Sequence, residues 1–487
     1  MYMLLVACIF PIFCGIGLLF YNKNTNRKLL WGTALTQVLL TAGLFATAAY
    51  ENLGKPCELF SLSGQIEIVL KPDLAGLLFA VLALVVFGCA FVFSYEYMKH
   101  EKKEGRYLGF LMIALGVYLF LCCAGNLVTF YLFFEMLTVT TFPLVLHNES
   151  HAAVLAGLKY LLYSLCGAYA ALFGIYFVAH YAETLMFGQK GMISPDVFVQ
   201  NSGLLLVVAF VMVLGFGVKA GMFPMHAWLT SAHPAAPAPA SAVLSAVIVK
   251  AGVLGIFRVV YDVFGWDILQ GTWVQNVLLC MSILTVFMGS MLAYGEPVLK
   301  KRLAYSTISQ VSYILFGLFL MNQTAGTGSF LHVLAHGFVK AVLFLCAGAI
   351  IFRTGKTRVE ELRGIGKEMP LTMCCYTIAS LGLIGIPPMG GFVSKWYLCM
   401  GALSSHRQPF AWIGVVVLLI SALLTAGYLL PISVQGFLPG EDFDDKACER
   451  KEPTAWMTFP ILVLTILALV MGLFPNELIR WFTGILA

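Results

Sequence analysis

One glutamate and five lysines stand inside long apolar runs of this 487-residue chain: Glu135, Lys159, Lys219, Lys250, Lys340 and Lys395. Ionisable groups at membrane depth are costly, usually face a bundle interior and mark an ion or proton path. A lysine can escape that cost by snorkelling only near a helix end, and Lys219, Lys250 and Lys340 stand too centrally for that. Lys159, early in its run, suits a structural partner as well as a path. His332, His336 and Lys340 recur at i, i+4 and i+8, on one face of a helix. Neutral imidazole both donates and accepts a proton, so this stripe has the chemistry of a relay. His226 follows the half-helix of Lys219 and His233 precedes the proline-rich return; both are candidates for the cytoplasmic mouth of a path, although loop-end histidines are common.

Pairing a buried lysine with a carboxylate makes a proton switch. Burial disfavours the charged amine and a nearby carboxylate restores it. At an effective dielectric of about 20, two charges about 4 Å apart attract by roughly 4 kcal/mol. Moving Glu135 towards and away from Lys219 would therefore let the lysine hold and release a proton, with Glu135 the modulator and Lys219 the carrier. Thr129, Thr138, Thr140 and Thr141 could offer Na+ oxygen ligands near Glu135, or simply pack. No nucleophile–base pair, G-x-G-x-x-G entering a helix or metal box accompanies these groups. Thirteen cysteines include no C-x-x-C, and His147 and His151 around Glu149 have metal-pair spacing without a supporting motif. The expectation is no catalytic centre, metal or cofactor in this chain.

The elements that position these residues are membrane helices. Apolar residues make up 60% of the chain and charged ones 11%, against about 25% charged in soluble domains. A span needs about 20 mostly apolar residues, and about fourteen such runs centre near residues 12, 40, 85, 115, 136, 168, 212, 250, 285, 312, 340, 388, 422 and 465. The fold class is thus all-α and polytopic. The first run lacks a charged n-region and cleavage site, so it reads as a retained helix. A net charge of +5 gives no indication of nucleic-acid binding. The seventh run is broken at Gly221-Met222-Phe223-Pro224 and again by Pro234, Pro237 and Pro239; the twelfth is broken at Pro387-Pro388-Met389-Gly390-Gly391. Breaks at membrane depth are tolerated only against protein or a wet cavity. Two of them five spans apart are the trace of an inverted repeat, spans 4–8 against 9–13. The corresponding segments are 1–106, 107–265, 266–436 and 437–487. Eighteen Lys and Arg fall in alternate loops, against six (Lys55, Lys71, Lys190, Arg258, Arg407 and Arg480) in the others. The positive-inside rule then places both termini on the outer side.

Several stretches resemble one superfamily. Phe133-Phe134-Glu135-Met136 and Gly217-Val218-Lys219-Ala220-Gly221-Met222-Phe223-Pro224-Met225-His226-Ala227-Trp228-Leu229 are similar to the antiporter-like membrane subunits of respiratory complex I, Mrp cation/proton antiporters and energy-converting membrane-bound hydrogenases. Lys301 to Gln310, His336-Gly337-Phe338-Val339-Lys340-Ala341 and Gly391-Phe392-Val393-Ser394-Lys395 match as well, so the resemblance covers roughly residues 70–435. It implies fourteen helices with two inverted five-helix repeats. It carries the family's proton-path roles onto Glu135, Lys219, Lys250, Lys340 with His332 and His336, and Lys395. It also implies a prokaryotic inner-membrane complex with further antiporter-like subunits and peripheral redox subunits, moving protons or exchanging them for Na+. The return Ala232 to Ala242 and the run Phe142 to His147 look most like subunits of energy-converting hydrogenases and related Mrp-like complexes, with an Mrp antiporter subunit and a complex I membrane subunit as the alternatives. Phe134, where the family often has tryptophan, weakens that assignment. The chain stops about a dozen residues after its last span, without the lateral helix of the largest family members. A stand-alone secondary transporter and a passive scaffold are the alternatives from other classes.

Overall fold

The computed structural model describes residues 2–20, 26–63, 66–188, 191–405, 409–440 and 449–486. Of the loop charges used for orientation, Lys23, Lys190, Arg407 and Lys446 lie outside these residues. Twelve helices among the described residues are long and apolar enough to cross a membrane. The other two runs counted from sequence are also helical but fail that criterion for identifiable reasons. Leu299–Phe319 opens on Lys300, Lys301 and Arg302 and carries Ser306, Thr307, Ser309, Gln310 and Ser312. The twelfth run is divided into Pro370–Ile384 and Gly390–Ser404, fifteen residues each, and at 1.5 Å per residue each half spans only about 22 Å. One element was not expected: an antiparallel hairpin of Cys57–Ser63 and Ile66–Leu70.

The helices gather into two compact units. The first comprises Met1–Gly88, Lys103–Trp228 and Val247–Val277; the second comprises Cys89–Lys102, Leu229–Ala246 and Leu278–Ala487. Lipid tails supply no hydrophobic drive between helices, so close packing depends on small residues that let backbones approach. In the first unit a Cβ on Gly15 would meet Gly109 O at 2.6 Å, and one on Gly215 would meet Gly167 O at 2.6 Å. Gly215 lies one turn before Lys219. A Cβ on Gly252, two residues after Lys250, would likewise meet Phe216 O at 2.6 Å. The helices that bear the two lysines are therefore held in backbone contact. In the second unit Gln323–Thr354 forms the core, buried over nearly all its length. Apart from the His332, His336 and Lys340 stripe its circumference is mostly apolar, which suits a helix surrounded by others.

Both broken runs are entered through a left-handed glycine. Gly221 (φ 77°) ends Ser202–Ala220, and Gly385 (φ 90°) ends Pro370–Ile384. Such a C-cap bends the chain away where a Cβ would clash with the following carbonyl. Two of the helices that carry candidate residues, Leu127–Val145 and Gln323–Thr354, start at asparagine side-chain caps. Asn126 Oδ1 accepts from Thr129 N at 2.7 Å, and Asn322 Oδ1 accepts from Ala325 N at 2.8 Å. Outside the bilayer, Glu149 accepts from Lys103 Nζ at 2.6 Å and pairs with Arg106. Arg106 also donates to His147 O at 2.5 Å. His147 is buried against the Tyr107 ring, whereas His151 is exposed at the next helix start.

Gly221→Ala and Gly385→Ala should each lower the thermal unfolding midpoint in detergent, reflecting about 1–2 kcal/mol of left-handed strain. Gly17, exposed and helical with open space around it, is the control: Gly17→Ala should be neutral or stabilising. Hydrogen bonds from Lys103 and Arg106 hold the Glu149 carboxyl down at about 2, from an ordinary 4.5. A depressed carboxylate stabilises fully above its unfolded value and loses that contribution as pH falls through its folded one. The small midpoint deficit of Glu149→Gln should thus persist from neutral pH to about 4.5 and close towards pH 2.

Candidate functional site

Lys219 sits in the last turn of Ser202–Ala220 with 1% of its surface exposed. Its ammonium donates to Phe134 O at 2.8 Å and Thr138 Oγ1 at 2.7 Å, and lies 3.9 Å from the centre of the Phe134 ring. These acceptors flank Glu135 on its own helix, Leu127–Val145. The half-buried Glu135 carboxylate is not within ion-pair distance of Lys219, and its Oε1 is buried without a hydrogen-bond partner. Neutral oxygens thus take the direct hydrogen bonds of the Lys219 ammonium. The end of the lysine helix is fastened by Trp228, whose Nε1 donates to Val218 O at 2.8 Å. The indole stacks on Tyr160, and the Tyr160 hydroxyl meets Thr141 Oγ1 at 2.8 Å.

Lys250 is fully buried in Val249–Phe257, bracketed by π-helical turns at Leu244–Ile248 and Arg258–Val263. Such turns are rare and frequent at functional sites. Lys159 is half-buried on His151–Tyr181. His226, in the break, stacks on Phe223 at 5.9 Å, while His233 in the second unit is buried against Phe344 at 4.8 Å.

The second unit repeats the lysine arrangement on different helices. Lys340, wholly buried, donates to Leu303 O at 3.0 Å and to Ser306 Oγ. Lys395 donates to Leu383 O at 2.7 Å and Ile384 O at 2.8 Å, the terminal carbonyls of the preceding half-helix. Helix-terminal carbonyls have no partner within their own helix, so the break itself supplies the acceptors. The Lys395 amine also lies 4.9 Å from the centre of the Tyr313 ring. Tyr313 also stacks with His332 at 5.5 Å, and His332 with His336 at 6.0 Å. His332 Nδ1 is 2.8 Å from Ser394 Oγ, which donates to Gly391 O at 3.0 Å. Ser394 thus ties the His332 ring in place through Nδ1. His332 and Lys395 are thus brought together at Tyr313, with His336 beside His332.

Sequence reasoning assigned no role to Ser306, Tyr313, Ser394 or Trp228. The first two were legible as polar residues on one face of an apolar helix. Two loop assignments need correction. Arg258 is buried and helical, bonded to Asp73 at 2.6 Å and Asp262 at 2.8 Å and set 4.6 Å over the Phe187 ring. Two carboxylates nearby in space make that burial tolerable, and only one of them is close in sequence. Lys300 is also buried, donating to Ala236 O at 2.7 Å.

The profile of the family described as "NADH:quinone oxidoreductase/Mrp antiporter, TM" matches residues 124–423. The chain is 32% identical to NADH-quinone oxidoreductase subunit N of Desulforudis audaxviator, over 92% of this chain and 90% of that one. It is 25% identical to the D subunit of the Na(+)/H(+) antiporter of Alkalihalophilus pseudofirmus, over 98% and 95% respectively. Among solved structures it is similar to a chain of the membrane-bound sulfane sulfur reductase, an archaeal respiratory membrane complex, at 25% identity. That match has a TM-score of 0.85 and covers 100% of this chain and 96% of the other.

Thr138→Val removes one of two acceptors from a buried ammonium, a loss of about 1.5–3 kcal/mol for a bond to a charged group. Proton translocation by membrane vesicles carrying this variant should fall about tenfold or more, with Thr138→Ser restoring most of it. Equal rates in all three proteins would show that the bond does not matter.

Proposed function

Because the chain belongs to the NADH:quinone oxidoreductase/Mrp antiporter membrane family, we propose that its buried Glu, Lys and His residues form one lateral proton route. The chain is an antiporter-like, proton-translocating, multi-pass membrane subunit. The proposed order is Glu135 and Lys219, then Lys250, then His332, His336 and Lys340, and finally Lys395. Lys159, His226 and His233 are secondary members.

The observation that carries this reading is the setting of Lys219 and Lys340. Each is at most 1% exposed, and each donates to a helix carbonyl and a hydroxyl one turn on. Neutral acceptors can bind the ammonium or bond to the amine, so the proton is not trapped by a fixed counter-charge. Glu135, one residue from one acceptor of Lys219 and three from the other, is the charge that biases this choice when it approaches.

Fourteen crossings, with Leu299–Phe319 and the broken Pro370–Ile384/Gly390–Ser404 pair as the additional two, fit this route. So do inverted repeats at spans 4–8 and 9–13, each with a glycine-ended break beside a lysine. Both termini face outward from a prokaryotic inner membrane. The subunit works beside further antiporter-like subunits, and a hydrogenase-like or related redox module supplies the driving reaction. Redox groups belong to those partners. The similarity to a component of a Na(+)/H(+) antiporter favours a second reading, in which a cation gradient is the driver.

Glu135→Ala and Lys219→Ala should each abolish coupled proton translocation while full-length protein remains in the membrane at wild-type level. Wild-type pumping by the Lys219 variant would end the proposal. A requirement for Na+ in the wild-type protein would select the second reading.

A further inference from the structure

We propose that Gln310 binds the water that joins Lys340 to the Tyr313, His332 and Lys395 group in the second unit. The inference rests on the proton route above and identifies what spans its least connected stretch. Lys340 is held at one end by Leu303 O and Ser306. At the other end Tyr313 lies between His332 and Lys395. The Tyr313 hydroxyl donates to Leu418 O at 2.8 Å and Ser306 to Leu303 O at 3.1 Å, so neither bonds towards the other.

Gln310 stands between them. Ser306, Gln310 and Tyr313 recur at i, i+4 and i+7 on Leu299–Phe319, which places them on one face. At 1.5 Å per residue Gln310 is about 6 Å along the axis from Ser306 and about 4.5 Å from Tyr313. This helix packs against Gln323–Thr354, which carries His332, His336 and Lys340. Gln310 is completely buried, and both its amide oxygen and its amide nitrogen lack a hydrogen-bond partner. Its amide is a neighbour of the Tyr313 hydroxyl without making a well-formed hydrogen bond to it.

An unbonded amide in an apolar interior costs about 2–7 kcal/mol, and buried polar groups left without a protein partner are typically satisfied by ordered water. An amide offers two donors and an acceptor but does not titrate near neutral pH. Gln310 is therefore a positioning residue: it orients water, and the water passes the proton. That division explains why a non-titrating side chain stands in a row of lysines and histidines.

The test uses vesicles containing the complete complex. Gln310→Met keeps size and apolar packing but removes the amide; Gln310→Asn keeps the amide. Two readouts are taken: the initial rate of proton translocation, and radiolytic hydroxyl labelling of Tyr313 by bound water, detected by mass spectrometry. With Met, assembly should be unchanged, translocation should fall at least tenfold and Tyr313 labelling should drop; Asn should recover both. Normal translocation with Met would overturn the inference. Slowed translocation with undiminished labelling would overturn it too, because the residue would then act by packing alone. The parent reading fails separately: normal pumping by Lys340→Ala and Lys395→Ala sinks the route, whatever Gln310 does.

Discussion

An ammonium group taken out of water into a bilayer must find its hydrogen-bond acceptors in the protein, and the rest of this structure follows from that requirement. Leaving such a charge unsatisfied costs more than most single interactions return. Helices are poor sources of acceptors because their carbonyls already serve the i to i−4 ladder. Two solutions occur. Lys219 and Lys340 use the second lone pair of a ladder carbonyl on a neighbouring helix, supplemented by a hydroxyl. Lys395 uses the carbonyls that a broken helix leaves exposed. The breaks are thus acceptor sites as much as points of bending.

Either solution needs backbones close enough for a lysine to reach across. Glycines at the crossings provide that closeness: Gly215 against Gly167, and Gly252 against Phe216. They stand one turn or less from Lys219 and Lys250. Packing and charge placement are therefore specified by the same short stretches of sequence, which ties the stability of the bundle to the placement of its buried lysines. The Trp228 to Val218 bond has a similar effect at the broken end of the lysine helix.

The two units solve the proton problem with different residues. In the first, a half-buried carboxylate can add or withdraw a field at a lysine whose direct bonds are neutral. In the second, Lys340 and Lys395 bond only to neutral oxygens, and between them stand two histidines, a tyrosine ring and the Gln310 amide. Imidazoles, one of them tied to Ser394 through Nδ1, can both donate and accept a proton. This suits stepwise transfer better than a single electrostatic switch.

The membrane class, the helical breaks and the buried glutamate and lysines could be read from the sequence, because each is a local property. A charge within twenty apolar residues, or Pro-Pro-Met-Gly-Gly in mid-span, needs no partner to be recognised. The i, i+4, i+8 stripe of His332, His336 and Lys340 was legible for the same reason. Residues whose meaning depends on a partner distant in sequence were not. Thr138 could equally have bound Na+ or packed, and Ser306 and Ser394 carried no assignment, until Lys219, Lys340 and His332 were found against them. Arg258 looked like a loop charge until Asp73 was found beside it, 185 residues away. The Cys57–Leu70 hairpin escaped notice because short strands give little periodic signal between long helices. Sequence alone determined which charges the bilayer must bury, since hydropathy and helical spacing are properties of neighbouring residues. Only tertiary structure decided which neutral oxygens receive those charges, because that depends on how closely helices far apart in the chain approach one another.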